Sequence, residues 1–414
     1  MNVITITREY GAGGSELAGK LAEVLGWELL DRELLHQAAQ VEHVPDAELN
    51  RLDEKAITMA DRFRLHPPHQ KYLHGLTEAA RQAAQRGNVV LVGRGARHLL
   101  GETPNVFHLR LVALRDWRVQ RMARLESWSP EQARARCLEM DRTREIFTRY
   151  FFGDPAVQPA QYDLVVNTAR VPLEDVACVV AAMVRPAPAE AVSRPVGVPA
   201  LAGFFPGSPP KGGTPTGDRV LTLSRELGAG ETGFATALAE RLAMQVYDRE
   251  LLEQEAVRLG VPETEIEKID EHPAGIFQRF RPGSIYQRYM EALGQIMHEL
   301  SGPTSGRPGN AILVGRGGNR ILRDNPRAFH LRVIAPLPIR MRRVMEYRWV
   351  RESVAKKVIA ESDAQRRSFC ESYFGADWAS PLEYHLTVNS GRLGPAAVGL
   401  ASYAAERHWG HTGS

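Results

Sequence analysis

The chain opens with Val3-Ile-Thr-Ile-Thr-Arg-Glu-Tyr-Gly-Ala-Gly-Gly-Ser15, and nearly the same stretch returns as Val220-Leu-Thr-Leu-Ser-Arg-Glu-Leu-Gly-Ala-Gly-Glu-Thr232. In each copy an apolar, β-branched run ends in Arg-Glu, and the glycines are followed by apolar residues at helical spacing. This order predicts a strand, a glycine turn and a helix. Such a turn directs backbone N–H groups and the positive end of a helix dipole towards one point, where a phosphate commonly binds.

The glycine turn departs from the phosphate-binding pattern Gly-x-x-x-x-Gly-Lys-Ser/Thr, in which the lysine reaches the β- and γ-phosphates and the hydroxyl holds Mg²⁺. Both copies lack that lysine. One copy alone would equally fit a strand-to-helix turn that needs glycine for its positive φ. Aligned on the hydroxyl, the residues are Arg8, Gly13, Gly14 and Ser15 in the first copy and Arg225, Gly230, Glu231 and Thr232 in the second.

The repetition extends over most of the 414 residues. The copies first match at an offset of 217, as in Val3 and Val220, and later at an offset of 222, as in Phe107 and Phe329. A period this long indicates duplicated domains, because solenoid repeats span only about 20 to 50 residues. We expect one domain at 1–185, a linker rich in Pro, Gly, Ala and Ser at 186–217, and a second domain at 218–409.

Composition narrows the class of protein. The net charge of +3 gives no argument for nucleic-acid binding, and the apolar part of the linker is too short to cross a bilayer. The chain begins directly with a strand pattern, so we expect no secretory signal. The three cysteines are isolated singletons, as is typical of a reducing compartment. The sequence therefore predicts a cytoplasmic protein without membrane or nucleic-acid partners, a monomer of two pseudo-symmetric domains.

Within each copy, short apolar strands alternate with helical segments. In the first copy we predict strands near 27–31, 88–95, 106–112 and 162–167 after the opening strand, with a helical insertion between 33 and 86. Strands that are apolar throughout are buried on both faces, which favours a parallel sheet. The expected fold is α/β: two three-layer domains of the P-loop NTPase type, each with a five-stranded parallel sheet and a helical insertion.

Arginines that recur in both copies identify candidate phosphate contacts, because guanidinium groups suit phosphate geometry. Three of them end a strand or follow one, where open α/β sheets bind ligands. The alternative for an arginine inside a strand, such as Arg110, is an ion pair with a neighbouring helix. The recurring residues are Arg8, Arg32, Arg94, Arg110, Arg118, Arg121 and Arg144.

Five motifs in the same order, twice, resemble the bacterial cytidylate kinase-like family, a branch of the P-loop nucleoside monophosphate kinases. They are Ile-Thr-Arg-Glu-Tyr-Gly-Ala-Gly-Gly, Asp31-Arg-Glu-Leu-Leu, Val-Gly-Arg-Gly-Ala, Asp-x-x-Arg before Tyr-Phe-Phe-Gly153, and Tyr-Asp-Leu-Val-Val-Asn-Thr168. The resemblance implies phosphoryl transfer from Mg·ATP to CMP, dCMP or a related acceptor. It also implies that Arg94 holds the monophosphate, that Asp141 reads cytosine or sugar, and that Arg144 meets phosphate.

The candidate site combines the glycine loop, the recurring arginines and the residues that match the family motifs. ATP is expected to contact Gly11, Ala12, Gly13, Gly14, Ser15, Arg118 and Arg121, with Mg²⁺ held through Ser15. The acceptor is expected to contact Asp31, Arg32, Arg94, Asp141 and Arg144, and the catalytic set is Arg8, Arg94, Asp141 and Arg144. The second-copy equivalents are Arg225, Gly228, Gly230, Thr232, Asp248, Arg316, Asp363 and Arg366.

Several departures from the family pattern remove positive or catalytic groups. Gly14 and Glu231 replace the lysine, Gly95 replaces the Asp of Gly-Arg-Asp, and Cys137 and Ile359 stand where a lid arginine would precede Asp-x-x-Arg. Arg8 or Lys20 are the candidates to compensate in the first copy. Two functions stay open: a nucleotide kinase with an active first copy and a degraded second, or a non-catalytic regulatory protein of two nucleotide-binding pseudo-kinase domains.

Overall fold

A computed structural model describes residues 1–31, 68–93, 95–153, 158–185, 219–230, 232–258, 260–262, 284–302 and 310–412. The residue contacts divide the chain into two compact units, Met1–Pro206 and Gly207–Ser414. The predicted linker lies outside the described residues, as do Arg32, Arg94 and Glu231. The predicted domain boundaries therefore stay predictions.

The first unit alternates strands and helices along the chain. Its elements are β1 (Val3–Arg8), α1 (Gly14–Leu25), β2 (Glu28–Leu30), α2 (Pro68–Arg86), β3 (Val89–Val92), α3 (Ala96–Leu100), β4 (Val106–Val112), α4 (Arg115–Glu126), α5 (Pro130–Phe152), β5 (Leu164–Asn167) and α6 (Leu173–Val184).

The strands of the first unit pair in the order β2-β3-β1-β4-β5, and each pair is parallel. Val3, Ile4 and Ile6 of β1 are at most 1% exposed, and all four residues of β3 are buried. Residues that face opposite sides of a strand can both be buried only when helices cover both faces of the sheet. Helix α1 supplies part of that cover through Leu17, Ala18 and Leu21.

The second unit repeats this sequence of elements. It contains β6 (Val220–Arg225), α7 (Thr232–Leu242), β7 (Gln245–Tyr247), α8 (Arg249–Arg258), α9 (Ile285–Ser301), β8 (Ala311–Val314), α10 (Gly318–Ile321), β9 (Ala328–Ile334), α11 (Leu337–Arg348), α12 (Glu352–Phe374), β10 (Leu386–Asn389), α13 (Ser390–Leu393) and α14 (Ala396–Thr412). Its strands pair in parallel in the order β7-β8-β6-β9-β10.

Each unit also packs helices and strands into a core beside the sheet. In the first unit Leu76 and Ala80 of α2 pack with Val89 and Leu91 of β3 and with Phe147 of α5. In the second unit Tyr289 and Leu293 of α9 pack in the same way with Ala311 and Leu313 of β8. The matched cores explain why helices α5 and α12 keep their aromatic C-terminal ends in both copies.

The α/β fold with parallel strands, as predicted from the sequence, is confirmed. The finer expectation, two separate P-loop domains each with its own five-stranded sheet, stays a prediction. Part of the predicted helical insertion lies outside the described residues, and its end is helix α2. Of the helices in the described ranges, none has the length and apolar character needed to span a membrane.

Candidate functional site

The carboxyl ends of three neighbouring strands meet at one edge of the first unit's sheet. Strand β1 ends at Arg8, β2 is followed by Asp31, and β3 is followed by Gly93. The parallel register sets Ile6 beside Val92, which brings these three positions to a common edge. Arg94, which comes next in the sequence, belongs to the residues that the structure does not describe.

The glycine loop joins β1 to α1 at this edge. Gly11 has a φ of 82° and Gly13 a φ of 86°, both in the left-handed region that favours glycine. A Cβ on Gly13 would lie 2.7 Å from a methyl group of Leu173, so close packing also excludes a side chain there. Gly13 caps α1 without a side-chain hydrogen bond, and Ser15 lies exposed in the first turn.

The side chain of Arg8 lies across the loop above Gly14, the residue that replaces the lysine of the family pattern. A Cβ on Gly14 would lie 2.6 Å from Cγ of Arg8, so the arginine stem occupies the space above this residue. The guanidinium reaches Gly93, where a Cβ would overlap Nη1 of Arg8. Arg144 of α5 donates from Nη1 to the carbonyl of Arg8 at 3.0 Å. The cation of Arg8 therefore lies between the loop and the end of β3.

Lys20 pairs with carboxylates of helices α6 and α1. Its Nζ is 2.9 Å from a carboxylate oxygen of Glu174 on α6 and 3.9 Å from Glu16. The hydrogen bond with Glu174 raises the pKa of Lys20 and lowers that of Glu174. Of the two candidates to replace the missing lysine, the geometry supports Arg8 and does not support Lys20.

A buried ion-pair network ties the loop to helices α4 and α5. Arg118 is 4% exposed, and its Nη1 donates to the carbonyl of Tyr10 at 2.8 Å and to Asp141 at 2.7 Å. Asp141 also accepts from the amide of Tyr10 at 2.8 Å. Glu9 accepts from the amide of Ala113 at 3.0 Å and lies 3.4 Å from Arg118. Arg118 and Asp141 thus hold the protein backbone and each other.

Two further predicted arginines contact the loop from outside. Arg121 donates from Nη1 to the carbonyl of Gly11 at 3.4 Å and from Nη2 to Glu16 at 2.6 Å. Arg144 lies with its Cζ 5.6 Å from the ring centroid of Tyr10, in addition to its bond with Arg8. Both arginines are therefore positioned at the loop, and each of them fixes one of its carbonyl groups.

The second unit repeats the network with additions. Arg340 donates to the carbonyl of Leu227 at 2.7 Å and to Asp363 at 2.5 Å, and lies 3.3 Å from Glu226. Arg332, 2% exposed, adds a second cation 3.2 Å from Glu226 and stacks on Trp378 with its Cζ 4.1 Å from the ring centroid. The equivalent of Arg332 in the first copy is Arg110, for which an ion pair with a neighbouring helix was the alternative to a phosphate contact.

Arg366 is a cation of this second cluster whose charged form is disfavoured by burial. Burial, opposed by Asp363 and reinforced by the charges of Arg225 and Arg340, lowers the pKa of Arg366 to about 10. Its Nη1 donates to Ser362 at 2.5 Å and lies 3.8 Å from Asp363. The second unit therefore concentrates positive charge next to its glycine loop.

The second glycine loop differs in its details from the first. Arg225 donates to the carbonyl of Gly230 at 3.3 Å. Gly228 keeps a φ of 80°, and a Cβ there would lie 2.7 Å from the carbonyl oxygen of Arg340. Gly230, unlike Gly13, does not adopt a positive φ. Asp248 caps α8 by accepting from the amide of Leu251 at 3.1 Å, and Thr232 begins α7.

A sequence profile of the cytidylate kinase-like family matches the chain twice, over residues 3–170 and 220–392. The chain belongs to the cytidylate kinase-like family. The cytidylate kinase of Natronomonas pharaonis is 28% identical over 181 residues, which are 43% of this chain and 86% of that relative. The cytidylate kinase of Methanopyrus kandleri is 26% identical over 178 residues, which are 41% and 85%. An uncharacterized protein from Eubacterium ventriosum, whose crystal structure is solved, is 25% identical, with a TM-score of 0.36 and coverage of 44% and 97%.

Local packing explains two departures from the cytidylate kinase-like pattern. A Cβ on Gly95, whose φ is 71°, would overlap the ring of Phe152, and Gly317 and Phe374 repeat this contact. Cys137 is fully buried among Val119, Met122 and Ala133, and burial raises the pKa of its thiol. An Asp at position 95 or an arginine at position 137 would have no space in this chain.

Glu9 and Glu226 lie beside the candidate site and were not among the residues predicted from the sequence. Both follow the strand-ending arginine directly, and both pair with the buried arginine of the helix after the fourth strand of their unit. The recurrence of this glutamate in both copies could have indicated a structural role, because a solvated surface glutamate has no such requirement. The partner arginine lies over a hundred residues away in the chain, so the pairing itself could not be read from local spacing.

Family membership implies ATP and a divalent cation, and the described loop fits both groups. The first turn of α1 has no side-chain cap on its backbone N–H groups, which suits an anion at this point. Arg8 adds a cation, and Ser15, which carries a hydroxyl, is exposed. Within the described ranges, no group of three or more His, Cys, Asp or Glu side chains forms a separate metal site. When bound, the cation would neutralise phosphate charge.

Proposed function

We propose that the first copy transfers the γ-phosphoryl group of Mg·ATP to CMP, dCMP or a related nucleoside monophosphate. The observation that carries this proposal is the side chain of Arg8, which lies across Gly14 and reaches Gly93. Phosphoryl transfer depends mainly on positioning and on neutralising charge. Arg8 supplies the positive charge that the missing lysine would otherwise provide, at the same loop.

The acceptor is proposed to lie beside the carboxyl ends of β2 and β3. Asp31 follows β2 at this edge, and we propose that it contacts the acceptor together with Arg32 and Arg94 of the family motifs. A guanidinium carries five N–H groups, so the bond from Arg144 to the carbonyl of Arg8 is compatible with a contact to phosphate. Arg144 would then join the loop to the acceptor.

Asp141 and Arg118 have contacts that differ from the nucleotide contacts expected of them. Each is engaged by the other and by the backbone of Tyr10. We propose that they act as positioning residues, which fix the loop that cradles ATP, while Arg121 holds Gly11 from the same side. Direct reading of a base by Asp141 has less support from this geometry.

The test is turnover by the intact chain. Purified protein is mixed with ATP and Mg²⁺ and with CMP, dCMP, UMP or AMP, and both ADP and the nucleoside diphosphate are quantified. We expect diphosphate formation with at least one cytidine nucleotide, and a loss of roughly two orders of magnitude in Arg8→Ala. Lys20→Ala is the matched control, because Lys20 pairs with Glu174 and should leave turnover nearly unchanged.

A non-catalytic, nucleotide-binding regulatory role is the second candidate. The observation that favours it is the absence of the lysine from both copies. Tight binding of Mg·ATP or CMP without diphosphate formation, in a chain whose Arg8→Ala variant loses binding, would support this reading. A monomeric state, a cytoplasmic location and the absence of nucleic-acid partners stay predictions.

The second copy is proposed to bind ATP more weakly than the first. Glu231 introduces a carboxylate at the position of Gly14, and Gly230 lacks the left-handed conformation of Gly13. A like charge in a poorly solvated loop costs on the order of a few kcal/mol. Glu231→Gly in the intact chain should therefore increase ATP binding by the second copy. Unchanged stoichiometry and affinity would contradict this.

A further inference from the structure

Arg316 of the second unit is held in an enclosed position. It follows Val314 and Gly315 at the end of β8, has a φ of 49°, and its side chain is only 9% exposed. Its Cζ lies 5.9 Å from the ring centroid of Tyr289 and 5.6 Å from that of Phe369. Cation–π contacts with two aromatic rings help to hold the guanidinium in place.

The anion is supplied by the chain itself. Glu253 of α8 forms an ion pair and hydrogen bond with Nη2 of Arg316, and its side chain is 20% exposed. The same carboxylate accepts from Nε of Arg249, one helical turn earlier, at 2.8 Å. A carboxylate that meets an enclosed guanidinium makes the charge-assisted contact that a phosphate oxygen would otherwise make.

The matched residues of the first copy differ in one respect. Arg94 matches Arg316, and Tyr72 and Phe147 match the two aromatic residues at the offsets of 217 and 222. At the position of Glu253, however, the first copy has His36. The two copies therefore share the arginine and both aromatic residues and differ at the position of the acid.

We infer that Glu253 occupies the place of the acceptor phosphate in the second copy and thereby closes that site to a nucleoside monophosphate. This inference rests on the proposed function, which makes Arg94 and Arg316 the phosphate-holding arginines. Glu253 then competes with the ligand of the second site. A nucleoside monophosphate must displace this internal carboxylate before it can contact Arg316. Removing the charge of Glu253 opens that site.

The experiment counts monophosphate sites on the intact chain by calorimetric titration with CMP. We expect one equivalent on the parent chain and two on Glu253→Gln. The second site should be about tenfold or more tighter than any second site of the parent, because a charge-assisted hydrogen bond becomes available. Glu250→Gln, an exposed carboxylate on the same helix, is the matched control and should keep one equivalent.

Two further variants make the result decisive. Glu253→Gln combined with Arg316→Ala should return to one equivalent, because it removes the group that the new ligand contacts. Glu253→His, which installs the residue type of the first copy, serves as the second opening variant if Glu253→Gln fails to fold. Hydrogen exchange across residues 311–334 checks that the second unit remains folded in each variant.

The outcomes separate this inference from the proposed function. Two equivalents on the parent chain, or an unchanged count on a folded Glu253→Gln variant, would overturn the inference. No CMP on the parent but one equivalent on Glu253→Gln, lost again with Arg316→Ala, would support the inference and count against the first copy as the acceptor site. One equivalent rising to two supports both.

Discussion

Arg118 donates to Asp141 across 2.7 Å, and the same bond recurs between Arg340 and Asp363 at 2.5 Å. In both copies the pair connects the helix after the fourth strand to the long helix that follows. It also reaches the loop backbone, at Tyr10 in one copy and at Leu227 in the other. Arg118 and Asp141, both expected to contact nucleotides, are therefore bonded to each other. The pair recurs in the second copy because it holds the backbone of the glycine loop in each copy.

The first prediction concerns the strength of that pair. Asp141→Asn keeps an acceptor for the Tyr10 amide but removes the charge facing Arg118. We expect a loss of about 1 to 3 kcal/mol in the free energy of unfolding, since Arg118 is buried and retains Glu9. Hydrogen exchange resolved over the first unit measures it.

Asp116→Asn is the matched control. Asp116 pairs with Arg134, but 77% of its side chain is exposed, so a change below about 0.5 kcal/mol is expected. Equal effects of the two substitutions would show that the Arg118–Asp141 pair contributes no more than a surface ion pair.

The second prediction separates two roles for Arg144. If it only paired along its helix with Asp141, Arg144→Ala would change turnover and stability little. Its bond to the carbonyl of Arg8 instead predicts a fall in turnover of roughly two orders of magnitude with folding intact. Arg142→Ala, an exposed arginine of the same helix, is the control. Turnover within about threefold of the parent would remove Arg144 from the site.

The sequence was sufficient for the family, the α/β class and the parallel strands, because these depend on local patterns. Apolar runs such as Val89–Val92 and glycines such as Gly13 carry their own structural requirement. The side-chain partners were not accessible in this way. Lys20 was an equal candidate to Arg8 until its bond with Glu174 on a distant helix was seen. Glu9 was overlooked because its partner Arg118 is close only in the folded chain.

Departures from a motif were also harder to interpret from the sequence. Gly95 was expected to represent a lost carboxylate, and the structure adds a packing reason, since the ring of Phe152 fills the space above it. Whether a missing side chain reflects lost chemistry or an occupied volume depends on residues at the far end of another helix. A motif alone does not contain that information.

The third prediction tests this packing reason. Gly95→Ala should destabilise the first unit by about 2 kcal/mol or more, because it adds both positive-φ strain and overlap with Phe152. Gly26→Ala shares the left-handed conformation, with a φ of 66°, but a Cβ there has nothing within 4 Å. It should cost only about 1 kcal/mol. If the two variants unfold at the same urea concentration, the contact with Phe152 has no energetic role.

The fourth prediction uses the charge of Arg366. Its pKa, lowered by burial from 12.5 to about 10, means that the folded unit binds fewer protons than the unfolded chain between those values. Stability therefore rises with pH through that window, and the charged form lowers stability at every pH below it. Because 33% of the side chain is exposed, this cost is on the order of 1 to 2 kcal/mol.

Arg366→Met should accordingly stabilise the second unit at pH 7, as measured by hydrogen exchange over residues 311–389. Arg367→Met, an exposed neighbour, should not. A destabilised Arg366→Met variant would mean that the bonds to Ser362 and Asp363 outweigh the cost of burying the charge.

The last prediction concerns Arg8 and Gly14, which compete for one volume. A lysine at position 14 would overlap Cγ of Arg8, so Gly14→Lys alone should disturb the loop and lower turnover, although it restores the family residue. Arg8→Ala should lower turnover by roughly two orders of magnitude, since the loop loses its cation. The double variant Arg8→Ala with Gly14→Lys removes the overlap and returns a cation to the same place. We expect it to recover at least about tenfold over Arg8→Ala, well above the sum of the single effects. Strictly additive losses would show that Arg8 does not stand in for the lysine, and the charge at the loop would then have to come from another residue.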